Sequence, residues 1–584
     1  MSRLTALLES RIESRHSVPG SQSEAKWILI VLAVVWVALF FRLGDLPLEQ
    51  PDEGRNAEVA REMKESGVWL VPTYNGIDYL DKPAFYFKAV ALALAAFGDS
   101  ETAARIPSAL FATALAALTY AFCRRLYSLR TAAMASIILA TTPLFLINGR
   151  TIIFDIALAL FTTAAIFAGY LAEEGDEKSR RRWYLLGAAA AGLATLVKGP
   201  VGFLVPTLVL LIYYPIAGKR AAWKRFFAPL NVVIFFAVTL PWFVGLCFAH
   251  RDFAYYGLVE ESFHRFTTTA FHRSKPFYFY GIVVLGMFLP WSLLLVQSIV
   301  TTWKARRANL RADLLCAVWL VAVVVFFSLS KSKMPGYILS TTVAAAILVA
   351  RLFDRALAEP AGRDARMTRY AAMALSVICL VAMSAVIFLS THTELLARPL
   401  GIPVEAAAGF KSHTTIAIIM LAAFAVLGFA VFKLKPMARF ATLALFPVLL
   451  VTVNFNLLNV VFSAKSARTL AHEIPALPPK TELACLQCFP AGLTFYRRHT
   501  ATLITKDGGE LTSNYILFNL KTNPWPSNMV PVADFDRWLA SRDHPVYLVV
   551  RAQDRTRLEA LAAPRAAAIQ QLTPQYLGAL LPPS

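Results

Sequence analysis

Charged residues that could carry chemistry gather in a few short segments between long apolar runs. The first segment, PDEGR, places Asp52, Glu53 and Arg55 near the end of an apolar run, where an unpaired charge beside lipid is costly. About thirty residues later, YLDKP places Lys82 among aromatic residues that include Tyr79. Carboxylates can orient a substrate or move a proton, and ammonium and guanidinium groups bind phosphate. These two segments therefore predict acidic and phosphate-binding groups at one site.

Later segments add similar groups at other breaks between apolar runs. Asp155 lies inside the apolar stretch TIIFDIALALF, where a carboxylate should face a polar cavity or a cation such as Arg150. Lys198 in LVKGP and Tyr337 in KMPGY lie at Gly- and Pro-containing breaks. A polar segment, EESFHRF, contributes Glu260, Glu261, His264 and Arg265. Since a transmembrane bundle buries such a set mainly around a charged ligand, we expect one charged cavity.

Each candidate also has an ordinary interpretation when it is taken alone. A lysine near a helix end, such as Lys82 or Lys198, is often an interfacial anchor, and a loop histidine is often a hydrogen-bonded surface residue. Glu58 and Glu62 recur at helical spacing and would form the solvated face of an interfacial helix. The functional interpretation depends on the segments meeting in space.

The composition places most of the chain in lipid. Of its 584 residues, 57% are hydrophobic and only 16% are charged, far below the roughly 25% charged residues of soluble proteins. The net charge of +20 could indicate nucleic acid binding, but the basic residues come in short clusters between apolar runs, without a basic stripe. We therefore expect contact with membrane lipids and no nucleic acid partner.

Apolar runs long enough to cross roughly 30 Å of hydrocarbon recur from Trp27 to Phe462, and we count about thirteen. Their centres lie near Val35, Leu115, Leu139, Leu160, Ala190, Leu208, Phe236, Met287, Ala322, Ala345, Leu380, Ala422 and Leu449. Alternate connections carry basic clusters, such as Arg124 with Arg125, and these prefer the cytoplasmic side. This alternation places the candidate residues and the C-terminal tail on the outer side.

The tail changes character after the last apolar run. PVYLVV predicts a strand, Arg555 to Ala563 has a helical pattern, and Asp507-Gly508-Gly509 marks a turn. We predict a transmembrane domain over residues 1–463, with an outer loop at 44–103, and a small soluble α/β domain over 464–584. Cys485 and Cys488, in C-x-x-C spacing, are expected to form a local disulfide in an oxidising compartment.

The motifs of nucleotide and metal-protease chemistry are missing from the sequence. It contains no Walker loop, no H-E-x-x-H and no dinucleotide fingerprint. The outside of a cell membrane also lacks nucleotides, so a transfer reaction there needs an activated donor that is already in the membrane. A lipid-phosphate sugar meets that requirement.

The segments PDEGR, YLDKP, RTIIFD, LVKGP and KMPGY together resemble the bacterial lipid A aminoarabinose transferases. These belong to the protein-mannosyltransferase-like glycosyltransferases of the GT-C fold, and the resemblance covers Trp27 to about Leu352. It implies a polytopic α-helical protein of about thirteen transmembrane helices in the bacterial inner membrane, with a C-terminal periplasmic α/β domain and a periplasmic active site. It further implies undecaprenyl-phosphate aminoarabinose as donor and a lipid A phosphate as acceptor. For this reaction we hypothesise direct displacement with inversion at the sugar, and we predict polymyxin resistance when the chain is expressed.

The resemblance also assigns roles to individual residues. By position, it implies catalytic roles for Asp52, Lys82 and Asp155, with Asp52 as the essential acid of the first loop. Lys82 and Arg265 resemble ligands of the donor phosphate. The other implied substrate-binding residues are Arg55, Glu53, Tyr79, Lys198 and Tyr337.

The chain departs from the common family pattern at Asn56, where tyrosine is frequent, and at Asp81, where glutamate is usual. No cofactor is required by the resemblance, although some relatives place a divalent metal such as zinc between that acid and a later histidine. Here the corresponding pair would be Asp81 and His264.

Two other functions fit parts of the sequence. A related polyprenyl-phosphate-dependent transferase could move a hexose or uronic acid onto lipopolysaccharide core, another glycan or a protein. A transporter would instead show polar residues near the membrane midplane and internal repeats. The ionisable residues cluster at one face and no repeat is visible, which favours the transferase.

Overall fold

The computed structural model describes residues 22–264, 274–304, 311–521 and 523–583. A helix is found at every predicted apolar centre. These helices are Gln22–Phe40, Glu101–Leu126, Leu129–Ala140, Asp155–Glu174, Glu177–Lys198, Val201–Ile216, Pro229–Ala249, Phe279–Met287, Arg311–Leu329, Thr341–Ala358, Arg363–Thr391, Thr414–Ala430 and Pro436–Val453. The architecture is that of a polytopic helical membrane protein.

Fewer of the described helices meet the length and hydropathy of a membrane crossing than the thirteen predicted apolar runs. Within the described ranges, seven helices are each long and apolar enough to cross a membrane, and nine if two sharply bent pairs each count once. The pairs are Leu129–Ala140 with Pro143–Arg150, bent by 65°, and Phe279–Met287 with Ser292–Lys304, bent by 110°. Other helices contain too many charged residues to be counted as crossings. Helix Glu177–Lys198, for example, begins with the basic run EKSRRR. The count of about thirteen therefore stays a prediction.

A glycine-containing break positions Lys198 at the end of its helix. Gly199, with φ +72°, and Pro200 reverse the chain between helices Glu177–Lys198 and Val201–Ile216. A Cβ at Gly202 would lie 2.3 Å from the backbone of Ala194, so the second helix can pack this closely only because residue 202 is glycine. The break predicted from LVKGP is thus confirmed.

The connection after the first helix is a structured loop. It consists of helix Asp52–Ser66, a hairpin of β1 (Thr73–Tyr74) and β2 (Ile77–Asp78), and helix Phe85–Phe97. The expectation that Glu58 and Glu62 form a solvated face is wrong, because both are buried. Glu58 pairs with Arg61 at 2.6 Å, and Glu62 accepts hydrogen bonds from Thr73 and from the Gly76 backbone. Burial, followed by the nearby Glu58 carboxylate, raises the pKa of Glu62 to about 7.

The tail forms the predicted α/β domain. Its six strands are β3 (Glu482–Leu486), β4 (Thr502–Thr505), β5 (Met529–Pro531), β6 (Val546–Arg551), β7 (Ile569–Thr573) and β8 (Tyr576–Leu581). They lie in the order β5-β4-β3-β6-β8-β7, with β5, β4, β3 and β6 parallel and β8 antiparallel to both neighbours. Its helices are Arg468–Glu473, Leu493–Arg497, Asn514–Asn519, Phe535–Ala540 and Arg555–Ala562. The predicted boundary after residue 463 falls at the end of helix Phe455–Ala464.

The expected disulfide between Cys485 and Cys488 is not formed; all six cysteines are free thiols. Both thiols are completely buried, Cys485 within β3 between β4 and β6. A hydrogen bond to Cys488, together with burial, raises the pKa of the Cys485 thiol well above its ordinary value. In this structure Cys485 packs within β3, and Cys488 packs after that strand against the Val549 carbonyl of β6.

Candidate active site

A cavity of about 800 Å³ collects charged residues from segments that are far apart in the sequence. Among the sequence-predicted site residues its lining includes Lys82, Asp155, Lys198 and Tyr337, together with Glu261. Most of the remaining wall is apolar, with side chains such as those of Leu158, Phe203, Val205, Phe236 and Leu240. A charged region within a largely apolar cavity suits a ligand with an anionic head and a hydrocarbon chain.

Asp155 and Lys198 form an ion pair in this cavity. Asp155 begins helix Asp155–Glu174, and Lys198 ends the following helix, so the hairpin brings both to the same end. The Lys198 ammonium also lies 4.6 Å from the centre of the Tyr337 ring. A Cβ at Gly336 would come within 3.0 Å of the Asp155 carboxylate, which explains the glycine of KMPGY. The structure therefore unites three of the predicted segments.

Asp155 faces the cavity and has a cationic partner, as predicted, but that partner is Lys198 and not Arg150, the example given by the sequence. Arg150 donates instead to the backbone carbonyls of Ala38, on the first helix, and Phe41, in the turn after it. The sequence separation of 43 residues between Asp155 and Lys198 hid their pairing from sequence reasoning.

Lys82 pairs with Glu261, a residue that sequence analysis noted in EESFHRF without assigning it to the site. The ammonium also donates to the backbone carbonyl of Asp81 at 2.7 Å. The Lys82 and Glu261 side chains are 10% and 12% exposed, so they meet in a largely desolvated environment. Glu261 belongs to a π-helical segment, Tyr256–His264, and such segments are frequent at functional sites. That local geometry could not be read from the sequence.

Asp52 lies outside the described lining of the cavity and is held by Arg55. The Arg55 guanidinium donates to Asp52 Oδ1 at 2.5 Å and to the carbonyl and hydroxyl oxygens of Thr512 at 2.8 and 2.7 Å. The Asp52 side chain is 36% exposed, so one carboxylate face remains open. Burial by itself would lower the pKa of Arg55. The nearby Tyr79 and Asp52 side chains outweigh this effect and raise the pKa above its ordinary value, so the guanidinium stays charged.

Glu53 and Tyr79 are both buried. Glu53 is 2% exposed, pairs with buried Arg105 at 2.7 Å and accepts from the Ile152 backbone N–H at 3.0 Å. Arg105 further donates to the carbonyls of Leu43, Leu46 and Pro47, so the pair ties three segments together. The substrate-binding role of Glu53 and Tyr79 stays a prediction.

Replacing Glu53 with glutamine should destabilise the protein. The Arg105 charge would stay buried without its counter-ion, which costs about 3 kcal/mol or more. We expect a lower melting temperature in detergent and an unchanged KM for donor in the folded fraction. Glu65→Gln, on the exposed end of the same helix, is the matched control. A normal melting temperature with a raised donor KM would instead show that Glu53 binds substrate.

Asp81 is occupied by protein contacts. It accepts hydrogen bonds from the Tyr256 hydroxyl at 2.7 Å and from the backbone N–H groups of Tyr515 and Asn514 at 2.7 and 3.2 Å. His264 lies 3.2 Å from Glu260. The described part of the chain contains no cluster of three His, Cys, Asp or Glu suited to a metal, and a metal held between Asp81 and His264 stays a prediction. Arg265, predicted to bind the donor phosphate, lies outside the described residues.

The sequence and fold are similar to those of characterised families. Residues 81–244 match the family profile described as dolichyl-phosphate-mannose-protein mannosyltransferase. A protein of Aeromonas salmonicida named undecaprenyl phosphate-α-4-amino-4-deoxy-L-arabinose arabinosyl transferase is 32% identical over 433 residues, which cover 73% of this chain and 75% of the relative. A protein of the same name from Aeromonas hydrophila is 29% identical over 430 residues, covering 73% and 75%.

Among solved structures, the crystal structure of ArnT from Cupriavidus metallidurans bound to undecaprenyl phosphate superposes with a TM-score of 0.82 and 26% sequence identity. The match covers 95% of this chain and 98% of that protein, including the C-terminal domain. The polytopic GT-C fold with its small α/β domain is thereby confirmed.

Proposed function

We propose that this chain, which belongs to the undecaprenyl phosphate-aminoarabinose arabinosyl transferase family, transfers 4-amino-4-deoxy-L-arabinose to a phosphate of lipid A. Family membership makes it a membrane glycosyltransferase that uses a polyprenyl-phosphate sugar. The acceptor, the inner membrane and the periplasmic position of the active site are parts of this proposal. Basic clusters on alternate connections support that orientation.

The observation that carries the proposal is the cavity with Lys82 and Lys198 in its charged region. An ammonium at each of two positions suits the phosphate of a polyprenyl donor, and the apolar wall suits its hydrocarbon chain. Asp52, which Arg55 holds beside the C-terminal domain, would supply a carboxylate for the amino group or hydroxyls of the sugar.

The reaction that suits these residues is a direct displacement with inversion. An ionised oxygen of the acceptor phosphate forms a bond to the anomeric carbon, while the bond from that carbon to the donor phosphate breaks and its electron pair stays on the leaving oxygen. Lys82, together with Arg265 as a second predicted ligand of the donor phosphate, would stabilise the charge that develops on polyprenyl phosphate. Since the acceptor is already ionised, Asp52 is needed to align the sugar and no proton has to be removed.

Mass spectrometry of lipid A tests donor and acceptor together. Expression of this chain in a host that makes the undecaprenyl-phosphate aminoarabinose but lacks its own transferase should add the mass of one aminopentose to lipid A and raise polymyxin resistance. The matched control is the same host carrying Lys82→Ala. Unmodified lipid A, with a hexose or uronic acid appearing on core, glycan or protein, would favour the related transferase instead.

A further inference from the structure

The two ammonium groups of the cavity both have carboxylate counter-ions. Lys82 pairs with Glu261, and Lys198 pairs with Asp155. The two pairs differ in how the acid is held. Asp155 begins a transmembrane helix and is packed against Gly336, whereas Glu261 reaches Lys82 from a separate segment 179 residues away.

The proposed reaction changes the charge of the phosphate that faces Lys82. The donor is a phosphodiester with a single negative charge, and the product polyprenyl phosphate is a monoester with about −1.5 to −2 charges at neutral pH. Coulomb attraction to the largely buried Lys82 ammonium therefore holds the product more tightly than the donor. An enzyme with this cavity needs some means of releasing its lipid product.

We propose that Glu261 is a positioning residue that competes with the lipid phosphate for Lys82 and so promotes release of polyprenyl phosphate after transfer. The proposal rests on the proposed function of the same cavity. When donor binds, its phosphate replaces the Glu261 carboxylate on the Lys82 ammonium. After transfer, the carboxylate returns to Lys82 and displaces the product.

The surroundings of Glu261 support this exchange. Glu261 lines the cavity beside Lys82, so the carboxylate and a bound phosphate would share the same ammonium. Lys82 keeps its bond to the Asp81 carbonyl, and Asp81 is itself fixed by Tyr256 and the C-terminal domain. The ammonium can therefore stay in place while its anionic partner changes.

Glu260 provides a matched control. It neighbours Glu261 on the same segment but lies outside the described cavity lining, with contacts to His264 at 3.2 Å and Tyr255 at 3.4 Å. Glutamine at either position removes one negative charge with little change in shape. Only the change at 261 removes a competitor for Lys82.

The test measures binding of undecaprenyl phosphate to the full-length protein in lipid nanodiscs, and compares single-turnover with steady-state transfer. Without the competing carboxylate, Glu261→Gln should bind undecaprenyl phosphate on the order of tenfold more tightly. Its steady-state rate should fall more than its single-turnover rate, with stronger inhibition by added product. Glu260→Gln should match the unmodified protein in affinity and in the ratio of the two rates.

Other outcomes would overturn the proposal. Unchanged or weaker binding in Glu261→Gln, or an equal fall in both rates, would show that Glu261 is not a competitor. Glu261→Asp keeps the charge and should restore near-normal affinity, which covers the case in which glutamine misfolds. Because the binding measurement uses undecaprenyl phosphate alone, it remains informative if lipid A proves not to be the acceptor.

Discussion

Lys82→Ala is expected to lower transfer by at least about a hundredfold, the cost typical of losing one group that stabilises developing charge. The ammonium lies in the charged region of the cavity, where we propose that the leaving phosphate binds. Its loss removes both the attraction for donor and the stabilisation of the leaving group. The measurement is the rate of sugar transfer in membranes from a labelled polyprenyl-phosphate donor, normalised to the amount of inserted protein.

The control for this change must separate catalysis from folding. Lys88→Ala removes an ammonium from the neighbouring helix Phe85–Phe97, outside the described cavity lining, and should keep most of the activity. Lys82→Ala also breaks the buried ion pair with Glu261, so the double change with Glu261→Gln should recover stability while remaining inactive. Full activity of Lys82→Ala would remove Lys82 from the mechanism.

The helices could be predicted because their signal is local. A run of apolar residues long enough for the bilayer determines a helix without reference to the rest of the chain, and every predicted centre lies in one. The strand at PVYLVV and the turn at Asp507-Gly508-Gly509 are local in the same sense, and both were found. The positive φ of Gly508 is the conformation that such a turn requires.

The burial of helix Asp52–Ser66 could not be predicted, because what covers it comes from the other end of the chain. A Cβ at Gly54 would lie 2.5 Å from the Ala491 carbonyl, and Arg55 reaches Thr512, 457 residues away. A polar helix at a membrane surface would be solvated in the absence of these contacts. The C-terminal domain therefore changes the environment of the first loop.

The sequence predicted which residues share the cavity, but not which of them form ion pairs. Motif positions identified Lys82, Asp155, Lys198 and Tyr337 as residues of one cavity, which the structure brings together. The partners Asp155 with Lys198 and Lys82 with Glu261 depend on helix packing and on the π-helical segment Tyr256–His264. Charge type and spacing indicate that ions meet, but not which ions.

Asp52→Asn is the second change with a large expected effect, a fall in transfer of about a hundredfold from misalignment of the sugar. The carboxylate is held at 2.5 Å by Arg55, and Arg55 is anchored to Thr512, so its position is fixed from both the membrane part and the C-terminal domain. Asparagine keeps the shape but removes the charge that would hold the amino group of the sugar. We expect kcat to fall strongly, while the affinity for undecaprenyl phosphate, which lacks the sugar, stays normal.

Asp45→Asn is a closely matched control, since Asp45 also pairs with an arginine three residues away at 2.5 Å, but on the exposed turn after the first helix. It should leave transfer unchanged, because that pair holds no group near the cavity. If Asp52→Asn kept full activity, sugar alignment would have to come from other groups. If Asp52→Asn also lost affinity for undecaprenyl phosphate, the Asp52–Arg55 pair would maintain the shape of the phosphate-binding end of the cavity. Its role would then be structural, and binding of both donor and product would depend on it.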